Sequence, residues 1–395
     1  MPNKILKRYF LNYSILIPYL ILNVIGLIMV YSSTSYMKAI SDENSAKIVM
    51  TQAIFLIISL ILMAVIYKVK TEFLKNTALI KILFTSGIVL LVATLIFGIP
   101  INGSKGWLHF GFISIQPAEY FKFLIPWFLA NEFAKRQREI QKGEFMIFWT
   151  PIFMILVAIA LVVAMPDLGN VVILALMLIV VLAISGISYR WTMILAPLFI
   201  LGSFFLTQIV LASKGKFVPS YVYSRFQAFA NPFAKGILQD QGHQLANSYY
   251  AIYNGGWFGR GLGNSIEKKG YLPEAHTDFI FPVVVEELGA VMSLLILGLL
   301  IYLITRILLV GIRATKPFNS IIALGIGGMM FIQLFINLGG VIGLIPSTGV
   351  TFPFLSQGGN SILVLSIGIA LVLNISADES RTNYQLYHSQ HVQND

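Results

Sequence analysis

Three residues within five positions carry the densest chemistry in this chain: Glu274, His276 and Asp278, in the run YLPEAHTDF. Two carboxylates and an imidazole this close together can act as general acid and base. The same run also fits the start of a helix, with Thr277 or Asp278 as N-cap. Residue types leave both readings open. The spacing excludes a zinc site of the HExxH kind, and the absence of cysteine excludes a thiolate nucleophile or thiolate metal ligand. Further upstream, Arg225 stands among Tyr221, Tyr223, Phe226 and Phe229. Such a segment reads either as an interfacial stretch lying on a membrane or as a guanidinium that grips phosphate oxygens through two parallel bonds.

A second set of ionisable groups lies in apolar surroundings, where charge costs a few kcal/mol and needs a reason. Glu119 and Lys122, in QPAEYFKF, are three residues apart and share one helical face. They form either a self-neutralised pair lining a helix bundle or part of a wet cavity in which Lys122 meets a substrate anion. Gln116 and Pro117 would open that cavity by interrupting the helix start. Asp167, in MPDLGN, reads as a helix cap or as a site carboxylate. Glu286 and Glu287, about two turns beyond Asp278, read as buried structural carboxylates paired with Lys122 or with backbone groups.

The glycine cluster GGWFGRGLGNS lacks the preceding strand and the GK[ST] ending of a phosphate loop, so tight turns and close packing explain it better. PSTGVTFPFLSQGGNS, with Gln357 and Ser361, is dense in Pro and Gly inside apolar windows. That density predicts broken helices or re-entrant backbone, tolerated at membrane depth only where it lines protein or water. A cavity open to the outer face follows.

These residues need a scaffold, and composition names its class. Of 395 residues, 57% are hydrophobic and 11% charged, with a mean hydropathy of +0.81; a soluble domain carries roughly 25% charged residues. The chain is therefore predicted to be an all-α integral membrane protein. Apolar windows long enough to span fall near 13–32, 48–67, 78–99, 112–131, 145–164, 168–186, 191–212, 279–310, 318–343 and 350–375. The first follows MPNKILKRYFLN and reads as a span rather than a cleavable signal.

Basic residues collect in alternate loops: Lys4, Lys7 and Arg8; Lys68, Lys70 and Lys75; Lys135, Arg136, Arg138 and Lys142; Arg190; Arg313 and Lys316. The opposite short loops hold only Lys38, Lys47 and Lys105. The positive-inside rule then places both termini in the cytoplasm and the long loop 213–277, between spans seven and eight, outside. The domain reading is a polytopic membrane unit over 1–376 and a polar, disordered cytoplasmic tail over 377–395. The formal charge of +10 suits anionic lipids and phosphates. No internal repeat supports an inverted-repeat transporter.

Taken together, QPAEYFKF, PDLG, SRFQAFANP, GHQLANSYYAIYNGGWFGRGLG, YLPEAHTDFIF, EELG and PFLSQGGNS resemble the SEDS family of cell-wall proteins (shape, elongation, division and sporulation). The resemblance runs from the first span to about Asn374. PEAH and TFPFLSQGGNS are more similar to the cell-division branch than to the elongation branch. It implies ten transmembrane helices and a peptidoglycan glycosyltransferase acting on lipid II, with undecaprenyl diphosphate as leaving group. The family's essential aspartate corresponds to Asp278, its loop arginine to Arg225, its Glu/Lys pair to Glu119 and Lys122, and its PDLG aspartate to Asp167. Glu274, His276, Gln357 and Ser361 complete the expected substrate contacts. Departures are Asn170, His243 and Pro282, none of which touches that chemistry. The resemblance implies a class B penicillin-binding transpeptidase and other division-complex membrane proteins as partners, and no nucleic acid. No organic cofactor is implied; a Mg²⁺ ion held mainly by phosphates and one carboxylate is compatible with it. The competing expectations are a lipid II flippase and a non-catalytic scaffold.

Overall fold

The computed structural model describes residues 7–36, 45–101, 104–111, 113–142, 148–187, 189–216, 218–234, 236–237 and 241–392. Lys4 and Lys38, used in the orientation argument, lie outside the described residues. After a short 3-10 turn at Lys7–Phe10, the helices run in order: α1 Tyr13–Thr34, α2 Ser45–Lys68, α3 Thr71–Leu74, α4 Thr77–Phe97, α5 Pro117–Lys135, α6 Gln137–Lys142, α7 Trp149–Ala164, α8 Leu168–Ile184 and α9 Tyr189–Ala212. Then follow α10 Ser220–Ala230, α11 Gln241–Gly255, α12 Ile280–Arg313, α13 Pro317–Val341 and α14 Gly359–Val392.

Among the described residues, α1, α2, α4, α9, α12, α13 and α14 are long and apolar enough to cross a membrane, and α7 and α8 are shorter apolar helices. The chain is a multi-pass, all-α membrane protein. One feature departs from that reading. The connection from α4 to α5 is a three-stranded antiparallel sheet, β1 Ile99–Ile101, β2 Ser104–Phe110 and β3 Ile113–Ile115. Most of it lies between the windows at 78–99 and 112–131; β3 falls inside the second, so the fourth predicted span begins as helix at Pro117, not near 112.

Helix α5 is the hub. Its residues from Pro117 to Phe133 are buried apart from Tyr120, and it packs against α4, α8, α13 and α14. Phe84 of α4 stacks on Phe128, at 4.4 Å between centroids, and meets Phe121 edge-on. Burial on all sides makes charge costly here, and pairing offsets it: Lys122 pairs with Glu119, and Glu132 with Arg136.

Helix α12 is broken at Gly289, whose φ of 81° and ψ of 168° are non-helical. The glycine-rich run after α11 wraps this break. Arg260 N and Gly261 N donate to the carbonyls of Glu286 and Glu287 (2.9 Å each), while Ala290 N and Val291 N donate to the carbonyls of Gly256 and Trp257 (2.9 and 3.2 Å). The loop thus satisfies the groups freed by the interruption, as a buried helix end requires. A Cβ on Gly289 would lie 2.4 Å from Gly259 N and Trp257 O. Gly289→Ala is therefore expected to destabilise the fold by at least ~2–3 kcal/mol, read as a lower melting temperature of purified protein in detergent.

The last window has different bounds from those expected. Residues 342–358 are irregular, as the Pro and Gly density predicts, and α14 begins only at Gly359. The tail expected to be disordered continues α14 to Val392. Glu379 fastens its start, accepting from Thr315 Oγ1 (2.7 Å) and Asn319 Nδ2 (2.6 Å).

Candidate active site

The site is a cavity of about 780 Å³ between the irregular segment 348–358, the start of α14, the start of α5, the turn before α8, helix α10 and the loop ahead of α12. Asp278, Glu274, Asp167, Glu119 and Arg225 all line it. Residues that sequence spacing separates by more than 150 positions are brought to one wall. Arg225 is the only lysine or arginine among the described lining residues, against four carboxylates.

Asp278 sits just outside α12, half-buried. It does not cap the helix: the N-cap position is Phe279, with no side-chain cap bond. Thr277 Oγ1 donates to Asp278 Oδ1 (3.0 Å), and the Asp278 carbonyl accepts from Asn337 Nδ2 (2.8 Å). The irregular segment grips this loop from the other side. Ser356 Oγ donates to the Thr277 carbonyl (2.6 Å), and Gln357 N donates to the His276 carbonyl (2.8 Å). That segment is itself held by Gln52 of α2, which bonds Ser356 O and Gly358 N. Burial, reinforced by the neighbouring Glu274 carboxylate, pushes Asp278 up to about 6 from an ordinary 3.8, while Arg225 and the Thr277 hydroxyl pull the other way. A carboxylate tuned to that range is suited to taking a proton near neutral pH.

Arg225 projects from α10 with its guanidinium carbon 5.8 Å from the Tyr221 ring centroid. It makes no ion pair among the described residues. Tyr221 in turn donates to the Pro166 carbonyl, tying α10 to the turn before α8. Asp167 both caps α8 and lines the cavity, so its two readings coexist. Its carboxylate accepts from Asn170 N (3.2 Å), Asn170 Nδ2 (2.9 Å) and Gln116 Nε2 (2.8 Å). Gln357 and Ser361 also line the cavity, and Ser361 accepts from Thr351 Oγ1 at 3.0 Å.

Two residues expected at the site lie off the cavity wall. Lys122 does not reach the cavity: it is 1% exposed and pairs with Glu119 beneath the wall. The helix geometry that brings it to Glu119 also points it into the bundle, leaving only Glu119 of the pair on the cavity wall. His276 contributes its carbonyl, and its ring is not part of the cavity lining.

Glu286 and Glu287 are buried structural carboxylates, but not through Lys122. Glu287 pairs with Lys268 (2.7 Å) and accepts from Ser32 of α1, while Glu286 accepts from Ser265 and the amides of Ile266 and Glu267. Sequence reading overlooked Lys268 because it lies in a polar loop and gives no sign that it is 5% exposed. Gln52, Gln333 and Asn337 did leave a signal: polar side chains inside apolar windows, which act as glue between helices. Removing the Lys268 amine strands a buried carboxylate. Lys268→Met is expected to cost about 3–5 kcal/mol, and the double variant with Glu287→Gln should recover most of it, measured as melting temperatures in detergent.

The arrangement defines a polytopic membrane protein with an acidic cavity, one raised aspartate and one arginine, equipped for proton abstraction beside an anion. The sequence profile described as "Cell cycle protein", covering FtsW, RodA and SpoVE, matches residues 13–381. The chain belongs to this family, the SEDS proteins. It is 48% identical to the "Probable peptidoglycan glycosyltransferase FtsW" of Lactococcus lactis subsp. lactis (strain IL1403), covering 95% of this chain and 94% of that protein. It is 36% identical to the protein of the same description from Bacillus subtilis (strain 168), covering 95% and 92%.

Among solved structures it is similar to a chain of a peptidoglycan synthase complex that coordinates polymerization and crosslinking, with a TM-score of 0.73 and 22% identity over 93% of this chain and 98% of that one. Rod shape determining protein RodA of Thermus thermophilus superposes with a TM-score of 0.66 at 22% identity, covering 96% and 99%. At that identity the likeness speaks for the fold.

Proposed function

We propose that this chain is a peptidoglycan glycosyltransferase that polymerises lipid II into β-1,4 glycan strands for septal wall synthesis. The observation that carries the reading is Asp278, raised towards neutrality, on the wall of a cavity whose one lysine or arginine among the described residues is Arg225. Its relatives of 48% and 36% identity bear the same description. In this reading the chain crosses the bilayer ten times: α1, α2, α4, α5, α7, α8, α9, α12, α13 and α14 supply the spans. Both termini face the cytoplasm, and the cavity opens outward, where lipid-linked sugars arrive.

The reaction joins the 4-hydroxyl of an acceptor N-acetylglucosamine to C1 of a donor N-acetylmuramic acid. Asp278 takes the hydroxyl proton as the new C1–O bond forms on the face opposite the leaving group. The bond from C1 to the diphosphate oxygen breaks, and undecaprenyl diphosphate departs with that electron pair. One displacement converts the α-linked donor into a β-linked product, so no covalent enzyme intermediate is needed. Arg225 receives the charge that grows on the diphosphate, the electrostatic task that usually contributes most. Lys122, buried under Glu119, acts by holding that carboxylate in place.

Among the described residues, four carboxylates against one guanidinium leave the wall acidic, which fits a Mg²⁺ ion arriving with the diphosphate. Glu274 or Asp167 would be its protein ligand, and the ion would add charge neutralisation. Among the described residues no group of three or more acidic or histidine side chains forms a metal cage.

Purified protein incubated with lipid II tests the reading. Glycan polymer on a gel is the expected result. Translocation of lipid II in vesicles without polymer would make the chain a flippase, and neither outcome a scaffold for its expected partner, a class B penicillin-binding transpeptidase. Depletion that yields filaments rather than round cells would place it in division.

A further inference from the structure

The aromatic corner at the end of α11 is used by nothing described so far. Helix α11 exposes Tyr250 and Tyr253, three residues apart on one face, and the loop beyond it exposes Trp257 (70%) and Phe258 (86%). Large apolar rings at such exposure need a non-aqueous neighbour or a reason to face water. Their position supplies the neighbour. The carbonyls of Gly256 and Trp257 accept from Ala290 and Val291, so the corner is stitched to α12 just past its break.

At that level the side of α12 turns apolar and outward: Val291, Met292, Leu294 and Leu295 are all exposed along a candidate membrane span. Helix α12 as a whole is 34 residues, about 51 Å, too long for a ~30 Å hydrocarbon core. The stretch from Ala290 to Arg313 measures about 36 Å and matches a core with part of its interface. Trp257 and Phe258 therefore stand where the lipid-facing surface of this span ends. Arg260, exposed two residues later, stands beside them.

We propose that Tyr253, Trp257, Phe258 and Arg260 form a bilayer anchor, with the rings inserted among phospholipid head groups and upper acyl carbons and the guanidinium on lipid phosphate. Aromatic rings with an adjacent cation suit that layer, since ring faces meet acyl chain while the charge stays hydrated. The anchor fixes the height of the glycine loop. That loop carries Ser265 and Lys268 to Glu286 and Glu287, and so ties α12 and the carboxylate at its head to the membrane surface. The inference does not depend on which reaction the cavity performs.

The chain has no cysteine, so a single engineered one reports on its own. The variants Phe258→Cys, Lys269→Cys and Val291→Cys are labelled with an environment-sensitive fluorophore and placed in nanodiscs of phosphatidylcholine and phosphatidylglycerol. Nitroxide-headgroup lipid should quench the label at 258 and at 291 but not at 269, and aqueous iodide should quench 258 about threefold less than 269. Equal iodide access at 258 and 269 would overturn the anchor. So would protection of 258 from iodide without nitroxide quenching, since protein would then cover the corner. A second measurement avoids cysteine: the emission lost in Trp257→Phe must be the part quenched by brominated lipid, and an unquenched difference spectrum overturns the proposal equally.

Discussion

Asp278→Asn is expected to leave lipid II binding nearly unchanged and to lower glycan polymerisation by at least ~10²–10⁴-fold, the usual contribution of a positioned base. The amide keeps the volume and can still accept from Thr277, so loss of shape does not account for the effect. The native pH profile provides a second signature. The base must be ionised, so kcat/KM should fall about tenfold per pH unit below roughly pH 6 and level off above it. The Asn variant should lack that limb.

Stability moves the opposite way. Asp278 is raised from 3.8 to about 6, so the unfolded chain releases this proton first as pH rises. The native state is then favoured most below pH 4 and loses up to about 3 kcal/mol by pH 7. The Asn variant should melt higher than the native protein at pH 7 and match it near pH 4. A variant that polymerises at the normal rate would remove Asp278 from the role of base, whereas one that melts lower at pH 7 would show that burial does not penalise this carboxylate.

Arg225→Ala is the second large effect. Among the described residues the cavity would lose its one lysine or arginine, and loss of a single transition-state charge partner typically costs about 10²–10³ in kcat. Arg225→Lys should recover only part of it, because an ammonium cannot form the paired bonds of a guanidinium. The two predictions are coupled. Arg225 pulls the Asp278 carboxyl down, so its removal should shift the acid limb of residual activity to higher pH. A rate loss with the limb unmoved would show that Arg225 acts on substrate alone. No rate loss would take it out of the reaction.

Much of this was legible in the chain as written. Hydropathy windows located every long helix, since a span must hide its backbone bonds and present apolar side chains to lipid. Asp278, Arg225, Asp167 and Glu119 stood out because charge is rare and costly in such a chain. The Pro and Gly run before α14 announced its own irregularity.

Tertiary structure decided the rest, because it turned on which groups face one another. Lys122 and Glu119 were visible as a pair, but only packing around α5 determined that the lysine points inward and the carboxylate meets the cavity. Lys268 looked like a solvated loop residue until the wrapped glycine run delivered it to Glu287. Gly289 was one glycine among 32 until the loop closing on the break showed why a side chain cannot stand there. Composition determines what the bilayer will accept, residue by residue. The contacts between distant segments determine which of the accepted residues share one cavity, and that information is absent from any one stretch.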